Sequence, residues 1–167
     1  VSELIKGRDI LFIVDGAQAP GMLHIDLHDL GCDVYACSGH KWIMGPKETG
    51  LLYMRSAVQA QVNNVFLSGG YRVYSASSGT RNAPNIIGFG DVAQWHMAIG
   101  TKRIEKRCME PDAYCYSEMA KVEGIKIISS DKAELGSAIV SFSLPEGKKN
   151  GDFRRIMNDK NYTIKSL

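Results

Sequence analysis

Two short apolar runs end in groups that can do chemistry. Residues 10–14 (ILFIV) close on Asp15 in the string Asp15-Gly16-Ala17-Gln18, and residues 33–37 (DVYAC) close on Ser38-Gly39-His40-Lys41. The first run is rich in β-branched residues and reads as a strand buried on both faces, as in a parallel sheet. The second reads as another short strand. In open α/β sheets, ligands gather beyond the carboxyl ends of the strands. Asp15, Ser38, His40 and Lys41 would then share one sheet edge. A lysine and a carboxylate placed this way suit pyridoxal phosphate. The lysine forms the Schiff base, and the carboxylate holds the pyridine nitrogen protonated so that the ring serves as an electron sink. Hydroxyl, imidazole and backbone donors meet the phosphate dianion.

The elements around these strands must position them. Residues 25–30 suggest one or two helical turns stopped by Gly31. Residues 45–50 (GPKETG) form a loop by composition, and residues 51–54 (LLYM) form a third strand. The spacing is too tight for a helix between every strand, so some neighbours should be antiparallel or joined by short turns. Residues 61–84 show little apolar periodicity. From Asn85 onward, Ile86, Phe89, Val92, Ala93 and His96 or Met97 recur at helical spacing, with a break expected at Gly100-Thr101. Helix continues through the basic turn 102–107. Glu110-Pro111-Asp112 either breaks it or starts a new helix, and residues 114–122 run helically to Gly124. The tail reads as a small α+β unit: strands at 125–128 and 138–144, a helix at 152–158, and a strand at 162–165.

The motifs resemble those of the class V (cysteine-desulfurase-like) aminotransferases, a branch of the fold type I pyridoxal-phosphate enzymes. That family shows an apolar strand ending in D-x-A-Q, a short acidic helix, a strand ending in S-x-H-K, and a G-P-x-x-x-G loop leading to L-Y. Here these are Asp15 to Gln18, Ser38 to Lys41, Gly45-Pro46 to Gly50, and Leu52-Tyr53. Ser78-Gly79-Thr80-Arg81-Asn82 resembles the family's G-T-x-N loop. The resemblance is close over residues 5–100 and loose in the tail. One departure is the loop after Pro46, where members often carry another glycine and this chain has Lys47-Glu48-Thr49.

The resemblance implies a fold and a set of roles. The fold would be α/β: the C-terminal part of a fold type I large domain with a mixed, mainly parallel sheet over residues 1–103, then a connecting helix and an incomplete small α+β domain over 104–167. Lys41 would be the Schiff-base lysine and proton shuttle. Asp15 would pair with the pyridinium nitrogen, and Gln18 would lie near the ring's phenolic oxygen. Ser38 and His40 would bind phosphate. Thr80 would reach the phosphate of a partner subunit, because these enzymes resemble one another in being homodimers with shared sites. The substrate would be an amino acid. Transamination, desulfuration, elimination and epimerisation share the opening steps these residues serve, with a lean toward the epimerase-like or desulfurase-like branches.

Other readings carry less. His24 and His28 have metal-ligand spacing on a helix, but the Glu of H-E-x-x-H and a third ligand are missing, so no metal is expected. Ser38-x-x-Lys41 matches the S-x-x-K of serine acyl-transfer enzymes, without the accompanying S-D-N or K-T-G. Lys102, Arg103, Lys106 and Arg107 read as a solvated helix face with Glu105 and Glu110 as partners. Cys32, Cys37, Cys108 and Cys115 show no CxxC and no zinc spacing, which fits free thiols in a reducing cytoplasm.

Composition bounds the rest. The 167 residues carry 20 basic and 18 acidic side chains, a net charge of +2, with 44% hydrophobic and 23% charged residues. That excludes a wholly disordered chain and gives no case for nucleic-acid or membrane-surface binding. No apolar run approaches the roughly 18–20 residues of a bilayer span. The chain starts without an initiator Met and stops as a strand begins. It is therefore expected to be part of a longer enzyme, and a non-catalytic fragment that binds cofactor weakly or not at all is the competing reading.

Overall fold

The computed structural model describes residues 1–62 and 82–166. They fall into two compact units, Val1–Glu105 and Lys106–Leu167.

The first unit is built on a three-stranded mixed sheet in the order β1 (Ile13–Asp15), β2 (Val34–Ser38), β3 (Gly50–Met54). β1 and β2 are parallel, with Asp15 level with Ala36. β2 and β3 are antiparallel, with Ser38 level with Gly50. This meets the expectation of an antiparallel neighbour where spacing leaves no room for a crossover helix. A short helix α1 (Ser2–Ile5) precedes β1, and α2 (Leu27–Leu30) lies between β1 and β2. Asp26 caps α2 by accepting from the His28 and Asp29 amides, and Gly31 ends it in the left-handed region. The core under the sheet is small: Val34, Met54 and Val58, with Val62 packed against them.

β1 is shorter and more exposed than the apolar run suggested. Ile13 is 63% exposed, and Ile10 and Leu11 are also open to solvent. The expected burial on both faces is therefore corrected. Among the described residues β1 has β2 on one side and no strand on the other. Ahead of Ile13 a side chain takes over from the ladder. Asp33, almost fully buried, accepts from the Phe12 amide at 2.8 Å and is paired with Arg55. The Phe12 N–H, then Arg55, hold its carboxyl below the usual carboxylate range against the opposing effect of burial.

Helix α3 (Ala83–Ile99) starts at Asn82, whose side chain accepts from the Asn85 amide at 3.2 Å, with Pro84 in the first turn. Gly100 ends it, and α4 (Thr101–Met119) begins at once, as the expected break at Gly100-Thr101 requires. The packed face differs from the predicted one. Asn85, Gly88, Phe89, Val92, Ala93 and His96 are at least half-buried, whereas Ile86 and Met97 point outward, Met97 at 76% exposure.

In the second unit α4 runs straight through Pro111, so the expected break is absent. Pro111 and Arg107 are both exposed, and water can serve the Arg107 carbonyl that the proline leaves without a donor. Arg107 pairs with Glu110 at 3.4 Å on a solvated face. β4 (Lys126–Ile127) and β5 (Phe142–Ser143) form a two-residue antiparallel ladder. The predicted strand over 138–144 is cut short because Ser129 Oγ accepts from the Ser141 amide and donates to the Ile139 carbonyl, taking the ladder's place. α5 (Asn150–Asp159) follows, its Phe153 edge-on to Phe142 at 6.1 Å. Residues 162–165, predicted as a strand, are irregular and join no sheet among the described residues.

Candidate active site

Because β1 and β2 are parallel, their carboxyl ends open on one edge of the sheet, and antiparallel β3 begins there. Three strand termini thus meet around the predicted residues. Asp15 ends β1 and is exposed. Its Oδ1 accepts from the Ala17 amide at 3.0 Å, an Asx turn that orients the carboxylate. Its other oxygen takes no hydrogen bond from the described residues. The Gly16 amide donates to Ala36 O at 2.8 Å, extending the β1–β2 pairing by one residue. Gln18 is exposed on the same turn, which closes with the Ala19 amide on Gly16 O at 3.0 Å.

Ser38 ends β2, half-buried, on the sheet face of Ala36 and hence of Asp15. His40 and Lys41 follow immediately, both exposed. No salt bridge engages Lys41 among the described residues. The structure therefore brings Asp15, Gln18, Ser38, His40 and Lys41 to one edge. Thr80, expected at a partner's phosphate, lies outside the described residues.

The lysine loop is held by its own backbone. Gly39 N donates to Thr49 O at 2.8 Å, Gly45 N to Gly39 O at 2.7 Å, and Thr49 Oγ1 to Pro46 O at 2.6 Å. Glu48 sits at φ 66, in the left-handed region where glycine is unstrained. It lies in the stretch where the family resemblance expects a glycine.

Tyr35 was not legible as a site residue. It lies on the opposite sheet face from Asp15, 5% exposed, with its ring against Gly16. Its hydroxyl is buried without a hydrogen-bond partner among the described residues. Burial, aided by Cys37, Cys32 and Asp15, pushes the phenol from 10.0 up to about 12. A group whose folded pKa is raised contributes stability that is whole below the unfolded pKa and is lost as pH climbs through the folded one. Stability should therefore fall between pH 10.0 and about 12 as Tyr35 ionises on unfolding. Tyr35→Phe should flatten that alkaline limb in urea titrations at several pH values and cost little below pH 10.0. An unchanged limb would assign the loss to other groups. Cys37 is half-buried on the Tyr35 face, and burial pushes its thiol up despite the Leu51 amide, which favours the thiolate. All four cysteines are free. His24 Nδ1 lies 2.7 Å from Thr101 Oγ1.

Comparison with known proteins agrees with this arrangement. The family model described as aminotransferase class-V matches residues 1–166. A probable cysteine desulfurase of Xylella fastidiosa (strain 9a5c) is 31% identical over 175 residues, covering 96% of this chain and 41% of that protein. Isopenicillin N epimerase of Amycolatopsis lactamdurans is 27% identical over 177 residues, covering 95% and 44%. Among solved structures, the apo cysteine desulfurase of Thermococcus onnurineus NA1 superposes with a TM-score of 0.77 at 24% identity, over 99% of this chain and 44% of that one. The chain thus spans less than half the length of the relatives it matches. With the family model covering nearly every residue and the D-G-A-Q and S-G-H-K strand ends in register, the chain belongs to the class V aminotransferase family of fold type I pyridoxal-phosphate-dependent enzymes.

Proposed function

We propose that this chain carries the lysine-bearing half of a pyridoxal-phosphate site that acts on an amino acid, with Lys41 as the Schiff-base lysine. The observation that carries the reading is the delivery of Asp15 and Lys41 to one sheet edge by two adjacent parallel strands. The donor set suits the cofactor. An exposed carboxylate keeps one oxygen uncommitted, an exposed amine enters no salt bridge among the described residues, and a hydroxyl and an imidazole lie between them in sequence. When bound, the cofactor supplies an electron sink for charge developing at the substrate α-carbon. Asp15 would hold the proton on the ring nitrogen, and Gln18 would lie by the phenolic oxygen. Ser38 and His40 would meet the phosphate, joined by Thr80 from a second subunit of a homodimer. Lys41 Nζ would take and return the α-proton. Residues 1–103 would be the second half of the cofactor-binding domain, and the free thiols suit a cytoplasmic enzyme. No helix among the described residues is long and apolar enough to cross a membrane.

The relatives include desulfurases and an epimerase. A desulfurase-like or epimerase-like reaction is the reading preferred here, with transamination and elimination sharing the same residues.

The test is a visible spectrum of the 167-residue chain with added pyridoxal phosphate, followed by borohydride and peptide mapping. A visible band that reduction fixes to Lys41, absent in Lys41→Ala, is expected. No band, or one that Lys41→Ala keeps, overturns the cofactor reading. A colourless protein that labels at Ser38 with an acylating reagent would favour S-x-x-K acyl transfer instead. The exposed apolar side chains of β1 and β3, Ile13 at 63% and Leu51 at 58%, favour a second reading. In that reading the chain keeps the lysine strand but binds cofactor only weakly until another element covers them.

A further inference from the structure

Helix α3 lays one face on the lysine loop. Asn85 Nδ2 donates to Lys47 O at 3.1 Å. A Cβ on Gly45 would lie 2.8 Å from the Phe89 ring and 2.9 Å from Gly39 O, too close for either to stay in place. Three turns beyond Asn85, His96 Nε2 lies 3.0 Å from Ile43 O, across 53 residues of sequence. A carbonyl oxygen only accepts, so Nε2 carries the proton. His96 is 7% exposed. A histidine this deep on a packed helix face is held there by its donor, since an aliphatic side chain would fill the space without a polar group to satisfy.

The carbonyl it grips is not arbitrary. Ile43 C=O and Met44 N–H belong to one planar peptide unit. The N–H side of that unit donates to Lys41 O at 2.9 Å. The plane is therefore held at both ends, by His96 on one side and by the carbonyl of the lysine on the other. Met44 itself sits at φ 63, where side chains bearing a Cβ are disfavoured. Such a residue persists only when its surroundings over-determine it. Here those surroundings are the His96 bond and the Gly39–Gly45 closure.

We propose that His96 is a positioning residue for Lys41. By fixing the 43–44 peptide it holds the turn from which the lysine side chain extends, without touching substrate. The consequence for reactivity rests on the Schiff-base reading of Lys41, whereas the lock on the turn does not. Small displacements of a reacting group are costly in rate, and a long lysine stem can be aimed only if its backbone origin is fixed.

The test compares the parent chain with His96→Leu, which has no donor, and His96→Gln, whose amide Nε2 can replace the imidazole N–H. Amide hydrogen exchange is read without cofactor at Met44 and Gly45, against the β2–β3 amides as an internal reference. His96→Leu should speed exchange at Met44 and Gly45 about tenfold relative to that reference, and His96→Gln should stay within about threefold of the parent. With pyridoxal phosphate added, adduct formation at Lys41 should slow in the same order. Equal exchange at Met44 and Gly45 in His96→Leu and the parent overturns the proposal. So does a uniform rise through β2 and β3, which would make His96 a general stabiliser, and so does His96→Gln behaving like His96→Leu. If the parent shows the protected turn but forms no adduct, the cofactor reading fails and exchange alone decides the lock.

Discussion

Asp15→Asn should leave Lys41 able to form its borohydride-fixed adduct, yet slow deuterium exchange at an amino acid's α-carbon in the loaded protein by about 10²-fold. The substitution removes charge and little else. Asn keeps an Oδ1 that can accept from the Ala17 amide, so the turn now held at 3.0 Å survives. What would be lost is the anion that the proposed site sets beside the ring nitrogen. A neighbouring opposite charge raises the pKa of a cationic group by about 1–3 units, which is tenfold to a thousandfold in the protonated fraction. Lys41 still finds the aldehyde, because its chemistry does not need the ring proton. It is the later withdrawal of charge from the α-carbon that suffers. Parent-like exchange in Asp15→Asn would remove Asp15 from the site, and loss of the adduct as well would give it a structural role in place of the electrostatic one.

Gly16→Ala should destabilise the chain by about 1–3 kcal/mol in urea unfolding. A Cβ at Gly16 would lie 2.0 Å from Tyr35 Cζ and 2.1 Å from its hydroxyl. Tyr35 is 5% exposed on a central strand and has nowhere to swing. The alternative is for the chain to move just after Asp15, breaking the Gly16–Ala36 hydrogen bond. The mechanism is checked by a double-mutant cycle with Tyr35→Leu, whose shorter side chain vacates the space. The two changes should couple by at least about 0.5 kcal/mol, so that Gly16→Ala costs less when Tyr35 is gone. Additive costs would mean that the methyl group meets something other than the ring.

The candidate site was legible to the degree that it is carried by strand ends. Asp15 and Ser38 each follow a short apolar run, and such a run predicts where a strand stops to within a residue or two. The N-cap at Asp26 and the stop at Gly31 were equally local, since a capping side chain and a left-handed glycine act on their own neighbours. The second unit was read less well for the same reason in reverse. Residues 138–144 have strand composition, but Ser129, 10 residues before Ile139 and 12 before Ser141, supplies the hydrogen bonds that end the ladder. Pro111 looked like a helix breaker, yet an exposed carbonyl tolerates the missing donor.

The order of motifs, Lys41, Asp15 and the strands that deliver them were set by the sequence itself, because each depends on residues within a few positions of one another. Tertiary structure decided what those residues rest on. Periodicity put His96 on a helix face without separating it from Met97, and only folding placed it against Ile43, 53 residues away. Tyr35 read as an ordinary strand residue until the sheet brought its ring under Gly16. The apolar run before Asp15 promised a strand covered on both faces, and the sheet left Ile13 open. Each of these depends on which segments meet, and a helix face or strand side has no partner until the chain closes on itself.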